Sequence, residues 1–123
     1  MSDDWTDDNF GNDGARDYLA MLTAKLVATI REVVVDDERI GPDEDGESLL
    51  MPSLEVLALL CERYDAAPPR LTTIRQWHEK YLAAYDAGID AMNPPVGFKT
   101  SRRKFIEKTF RWLESLSESY YEE

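Results

Sequence analysis

The sequence predicts an all-α protein, a compact single-domain bundle of about four helices spanning residues 1–123. In four segments, apolar residues recur at intervals of three and four, which is the period of an amphipathic helix. No segment alternates apolar and polar residues over the length of a strand. Breaks rich in proline, glycine or acidic residues separate the four segments. Amphipathic helices joined by short or medium loops pack as a bundle.

The first helix is predicted over about residues 13–35. Asn12 is a strong N-cap candidate, because its side-chain oxygen accepts a backbone N–H of the first turn. Asp13 then places negative charge at the positive end of the helix dipole. Residues 1–11 are predicted to form an N-terminal loop that packs on this helix, with Trp5 and Phe10 folded over its first turn. The helix's apolar face is Ala15, Leu19, Leu22, Leu26, Ile30 and Val33.

The other three helices follow from similar signals. The second is predicted to begin at an N-cap, Ser53, and to end before Ala67-Pro68-Pro69, which cannot continue a helix. The third is predicted to be capped by Thr72 and to run to about Met92, and the fourth is predicted over about residues 100–120. The predicted buried faces are Leu57, Leu60, Cys61 and Tyr64 in the second helix, Ile74, Trp77, Tyr81 and Tyr85 in the third, and Ile106, Phe110, Leu113 and Tyr120 in the fourth, broadened by Phe105, Trp112 and Leu116.

Asp17 is the residue of the N-terminal motif that a simple cap does not explain. It follows Asp13 by four residues, and like charges at that spacing destabilise a helix by a few tenths of a kcal/mol. A loop amide, a basic side chain or a bound cation would offset this cost. An EF-hand loop does not fit, because aligning either Gly14 or Gly46 with the glycine of that loop places residues without a carboxylate at required ligand positions. We therefore predict a structural cap, with a divalent-cation site at Asn12, Asp13 and Asp17 as the alternative.

The same motif resembles a known family. The pattern Trp5-x4-Phe10-x-Asn12-Asp13-x-Ala15-x-Asp17-Tyr18-Leu19 is similar to the N-terminal signature of the domain-of-unknown-function family 4259. Its members are small bacterial proteins with no established activity. The resemblance implies a small, mainly helical bacterial protein and carries no catalytic residue.

The charge is concentrated at one end of the sequence. The net charge is −11, and residues 1–47 hold 14 Asp and Glu against four Lys and Arg. Residues 36–47, DDERIGPDEDGE, have the composition of a solvated loop. Within them, Asp43, Glu44, Asp45 and Glu47 are the candidate partner-binding residues. A basic protein partner suits this distribution, whereas direct binding to a nucleic-acid backbone requires clustered basic residues.

A second charged segment, residues 99–111, holds six basic residues against Glu107 alone. Two interpretations stay open. The basic side chains neutralise the acidic N-terminal half within the fold, which we favour, or they form a site for an anion or a partner.

The sequence offers little chemistry for catalysis. His78 is the only histidine, so a zinc site built on several histidines is excluded. Cys61, the only cysteine, lies on a predicted apolar face and is expected to be a buried, inert thiol. No cofactor motif and no apolar run long enough for a membrane span are present. We expect a cytoplasmic protein with no metal, no cofactor and no membrane association.

The leading functional hypothesis is a small acidic interaction protein that neutralises or escorts a basic partner such as a toxin, as immunity proteins and antitoxins do. The alternative is a divalent-cation-dependent enzyme or ligand-binding protein that uses the N-terminal Asn/Asp cluster. A cation-dependent melting temperature would distinguish the two.

Overall fold

The computed structural model describes residues 7–122, which form four α-helices. α1 spans Asp13–Val34, α2 Met51–Tyr64, α3 Leu71–Gly88 and α4 Phe98–Tyr121. A π-helical turn, Gly46–Leu50, leads directly into α2, and a 3₁₀ turn, Asp90–Met92, follows α3. None of the described residues lies in a β-strand. The predicted all-α bundle is confirmed.

One apolar core joins the four helices. α2 packs against both α1 and α4, and α3 packs mainly against α4. This arrangement lets each amphipathic helix bury its apolar stripe against its neighbours. The largest side chains at the centre of the core are Tyr81, Tyr85, Phe110, Ile30, Leu50, Leu54, Leu57, Ile74, Ile89, Ile106 and Leu113.

The start of α1 is the predicted cap. Asn12 has extended backbone angles, and the backbone N–H of Ala15 donates to its side-chain Oδ1 at 2.8 Å. The helix then continues to Val34, one residue short of its predicted end.

The predicted N-cap of the second helix is wrong. Ser53 is buried inside α2, whose first residue is Met51. Pro52 is the second residue of α2, and the π-helical turn Gly46–Leu50 runs directly into that helix. Pro52 therefore follows helical residues and does not mark a loop ahead of the helix.

The predicted N-cap of the third helix is also wrong. α3 begins at Leu71 after an extended Arg70, and no side-chain hydrogen bond caps it. Thr72 is its second residue. At the other end α3 stops at Gly88, and the predicted continuation to Met92 is a separate 3₁₀ turn.

The predicted buried faces are largely confirmed. All four predicted residues of α3 are buried, as are Ile106, Phe110 and Leu113 of α4. Other predicted residues are only half-buried, namely Ala15, Leu22, Leu26, Leu60, Trp112 and Leu116. Tyr64, Tyr120 and Phe105 are exposed.

Candidate interaction surface

The acidic segment forms a closed loop between Arg39 and Gly46. The Gly46 backbone N–H donates to the Arg39 carbonyl oxygen at 2.7 Å. At the same point the Arg39 side-chain Nε donates to an Asp45 carboxylate oxygen, also at 2.7 Å. Two independent bonds therefore fasten the base of the loop.

The loop is also packed onto the body of the protein. Ile40, Pro42 and Gly46 are buried. A Cβ atom added to Gly46 would lie 1.8 Å from the Ile40 carbonyl oxygen and 2.7 Å from Tyr81 Cε1, so only glycine fits between loop and α3. At the loop tip, Pro42 lies against Gly88 at the end of α3. The segment is solvated on one side only, and its backbone is fixed on the other.

The structure divides the four predicted partner-binding residues into two pairs. Asp43 and Glu44 are exposed, and neither forms an ion pair within residues 7–122. Asp45 forms an ion pair with Arg39. Glu47 forms a two-point ion pair with Arg102 of α4, with Arg102 Nε donating to Glu47 Oε2 at 3.2 Å. Two of the four carboxylates are therefore available to a partner.

The Glu47–Arg102 pair lies beside a buried hydroxyl. Tyr81 OH is buried and has no hydrogen-bond partner among the described residues. Burial raises the pKa of Tyr81, and the negative charge of Glu47 raises it further. Tyr81 therefore stays neutral, and Glu47 and Arg102 compensate each other.

The basic segment 99–111 makes ion pairs within the fold. Arg103 binds Asp86 of α3 through two bonds of 2.9 Å, and Lys99 binds Asp90 at 2.8 Å. Together with the Glu47–Arg102 pair, these bonds agree with internal neutralisation. Among residues 7–122, however, only Arg102 of these three bases reaches the acidic N-terminal half, since Asp86 and Asp90 lie in and just after α3.

An apolar groove between α2 and α4 adjoins the acidic loop. It has a volume of about 340 Å³ and is shallow, with Glu47 at its edge. Its exposed apolar side chains are Val56 (44% exposed), Leu59 (48%) and Phe105 (51%). This surface was not predicted from the sequence. The available signal was Val56 and Leu59, two apolar residues outside the predicted buried face of the second helix, although exposed charged residues such as Glu55 and Glu62 lie among them.

The N-terminal motif supplies a helix cap in the part that the structure describes. Asn12 Oδ1 is directed at the α1 backbone. Asp17 is exposed, and no ion pair or hydrogen bond joins its carboxylate to another described residue. Phe10 packs against the core, 4.7 Å from the ring of Tyr64. Trp5, the other aromatic residue of the predicted N-terminal loop, lies outside the described residues.

His78 and Cys61 occupy structural positions. The Nδ1–H of His78 donates to Glu114 at 2.7 Å, and its ring stacks on Phe110 at 4.7 Å, so His78 joins α3 to α4. Its Nε2 is buried without a partner in the described chain. Cys61 is buried, and burial raises the pKa of its thiol to about 11. The inert thiol expected from the sequence agrees with this environment.

A second groove, about 1370 Å³ in volume, lies between α1 and residues 65–70. Its arginines already serve the fold in part: Arg16 Nε donates to the Phe10 carbonyl oxygen, and the Arg70 guanidinium lies 4.0 Å from the centre of the Tyr121 ring. Arginines and aspartates both line it, so its charge selects no class of ligand. Its charged lining residues are Asp7, Asp8, Arg16, Arg31, Arg63, Asp65 and Arg70.

Residues 7–122 contain no group of three or more histidine, cysteine or acidic side chains placed to hold a metal ion. Within the same residues, no helix is both long enough and apolar enough to cross a membrane. No family model, curated protein or solved structure matches the chain. The resemblance of the N-terminal motif to the family 4259 therefore stays a prediction.

Proposed function

We propose that this protein binds a basic protein partner and neutralises or escorts it, in the manner of an immunity protein or an antitoxin. The observation that carries the proposal is the closed loop 39–46, which presents two uncompensated carboxylates, Asp43 and Glu44, on a fixed backbone. A loop ordered before binding avoids the conformational entropy that a flexible loop loses when it binds.

The charge of the whole chain supports the same proposal. A net charge of −11 attracts a basic partner over distance and raises the association rate at low salt. The excess acid lies mainly in residues 1–47, which include the closed loop. Eight of these acids fall in residues 32–47, at the end of α1 that leads into the loop, so the attraction would be strong around Asp43 and Glu44.

The test is capture of partners from an extract of the protein's own source. We expect the immobilised chain to retain basic proteins at low salt and to release them at high salt. The double variant Asp43→Lys, Glu44→Lys should lose them. Asp45 and Glu47 are left unchanged, because a lysine at either position would stand beside Arg39 or Arg102 and disturb the fold.

The matched control is Glu79→Lys, Glu118→Lys, which changes the net charge by the same amount at exposed positions of α3 and α4. It should retain the partners. If both double variants recover the same proteins as the parent, the acidic loop is a solubility feature. The proposed function would then be rejected.

A further inference from the structure

The connection between α3 and α4 carries a group of exposed apolar side chains, which we call the apolar tip (residues 92–98). Val96 is fully exposed, Met92 and Phe98 are 45% and 42% exposed, and Pro95 is exposed as well. None of the four is among the described side chains that form the core or pack against it. Single exposed apolar residues are ordinary on a protein surface, whereas apolar residues grouped in an exposed patch are typical of an interaction site.

The apolar tip is held in place at both ends. Before it, Ile89 is buried in the core. After it, the Tyr85 hydroxyl donates to the Lys99 carbonyl oxygen at 2.9 Å. Within it, the backbone N–H of Phe98 donates to the Pro95 carbonyl oxygen at 3.0 Å. The exposed side chains therefore project from an ordered backbone, which loses little conformational entropy when a partner covers them.

The apolar tip and the acidic loop lie at the same end of α3. A Cβ atom added to Gly88, the last residue of α3, would lie 3.0 Å from Cδ of Pro42 in the loop. Asp43 follows Pro42 directly, and the 3₁₀ turn that leads into the apolar tip begins two residues after Gly88. The free carboxylates of the loop and the apolar side chains of the tip thus lie on the two sides of one contact.

The charges around this contact are mainly negative. The acidic residues of segment 36–47 that form no ion pair within the described chain are Asp36, Asp37, Glu38, Asp43 and Glu44. On the other side of the contact, Asp86 and Asp90 are paired with Arg103 and Lys99. Lys104 is then the one base of residues 86–104 without an ion pair to a described residue. Five carboxylates against one lysine favour a basic partner at this end of the molecule.

We propose that the apolar tip enters an apolar pocket of the basic partner, and that lysine and arginine residues at the rim of that pocket lie over Asp43 and Glu44. This inference rests on the proposed function and adds the apolar contact to it. The carboxylates raise the rate of association, and Val96 and Phe98, once buried in the partner, slow dissociation. An anionic membrane surface is a poorer match, because the same five carboxylates are repelled by it.

The probe is the basic protein that the immobilised parent retains from the extract, purified and passed over each variant to measure association and dissociation rates separately. Val96→Ser and Phe98→Ser should each raise the dissociation rate about tenfold and leave the association rate within about twofold of the parent's. Met21→Ser, at a 52% exposed position of α1, is the matched control and should change neither rate. A thermal melt of each variant establishes that it is folded. Parental dissociation rates for both tip variants would overturn the proposal.

The variants separate this inference from the proposed function. If Asp43→Lys, Glu44→Lys slows association while the tip variants behave like the parent, the inference fails and the proposed function stands. If the tip variants alone weaken binding, the contact at the tip stands and recognition by the acidic loop fails. If the extract yields no basic protein, both fail.

Two other occupants of the apolar tip give distinct results. Vesicles of phosphatidylcholine, with and without phosphatidylserine, test a membrane surface, and sedimentation of the parent alone tests a second copy. We expect no binding to either vesicle and no dimer that depends on the tip. Binding to vesicles that Val96→Ser abolishes, or a dimer that Val96→Ser dissociates, would overturn the proposal.

Discussion

Asn12 and Asp17 belong to one sequence motif but differ in what their side chains do. Asn12 accepts the backbone N–H of Ala15 at 2.8 Å, whereas the exposed Asp17 carboxylate makes no hydrogen bond or ion pair with a described residue. The sequence alone suggested that both would contribute to stability. The structure assigns that contribution to Asn12, because a cap requires a directed bond and not only a suitable residue type.

We predict that Asn12→Ala lowers the free energy of unfolding by about 1 kcal/mol. Asp17→Ala should change it by less than about 0.5 kcal/mol, because an exposed side chain without a partner contributes little. Urea denaturation of the two variants measures both values. A loss at Asp17 as large as that at Asn12 would show that the carboxylate has a partner.

We predict that Cys61 is unreactive in the folded protein at pH 8. Burial raises the pKa of its thiol to about 11 from an ordinary value of 9.0, so the reactive thiolate is scarce and shielded. Because the unfolded chain ionises first, the protonated thiol stabilises the fold fully below pH 9, and this stabilisation is lost as the pH rises from 9 toward 11. Iodoacetamide labelling should be slow without urea and fast in it. Rapid labelling of the native protein would contradict the prediction.

For the helices, the sequence predicts which face is buried better than it predicts where each helix begins and ends. The stripe Ile74, Trp77, Tyr81 and Tyr85 is buried as the three- and four-residue spacing predicts. The start of α2 was not predictable, because it depends on the π-helical turn and on the contact of Gly46 with Ile40 and Tyr81. A local sequence pattern does not predict the contact between Gly46 and Tyr81, which are 35 residues apart. The Glu47–Arg102 pair, across 55 residues, escaped prediction for the same reason.

Substitution by alanine should have opposite effects on stability at Gly46, which lies between the acidic loop and α3, and at Gly14, which does not. Gly46→Ala should destabilise the protein by about 3 kcal/mol, since its Cβ would overlap the Ile40 carbonyl oxygen. Gly14→Ala, in the first turn of α1 with its nearest neighbour at 3.5 Å, should be neutral or stabilise by up to about 1 kcal/mol. Thermal melts compare the two. Equal stability of both variants would show that the loop does not close on α3.

The α3–α4 interface should depend on Trp77. Its side chain is only 3% exposed, and Trp77→Ala should cost about 3–5 kcal/mol through lost burial and a residual cavity. The neighbouring Gln76 is exposed, so Gln76→Ala is the control and should have little effect. Chemical denaturation measures both. A Trp77→Ala protein of parental stability would place this side chain outside the core.

At the scale of the whole molecule, the ion pairs leave most of the acidic excess uncompensated. Of the three bases of α4 that bind Glu47, Asp86 and Asp90, only Arg102 binds an acidic residue of the described range 7–47. The sequence shows that the acidic excess lies in residues 1–47, and the structure shows which carboxylates of the acidic loop remain available to a partner. Asp45 and Glu47 could not be separated from Asp43 and Glu44 by sequence, since all four share one short segment.

The proposed function depends on the attraction of a basic partner by Asp43 and Glu44. Its most direct test is the association rate of the captured partner, measured by stopped-flow mixing from about 0.05 to about 0.3 M NaCl. We expect the parent rate to fall steeply with salt and the rate of Asp43→Lys, Glu44→Lys to be low and nearly independent of salt. Glu79→Lys, Glu118→Lys should keep most of the parent's salt dependence. A parent rate that does not change with salt, or an equal loss in the two double variants, would contradict it.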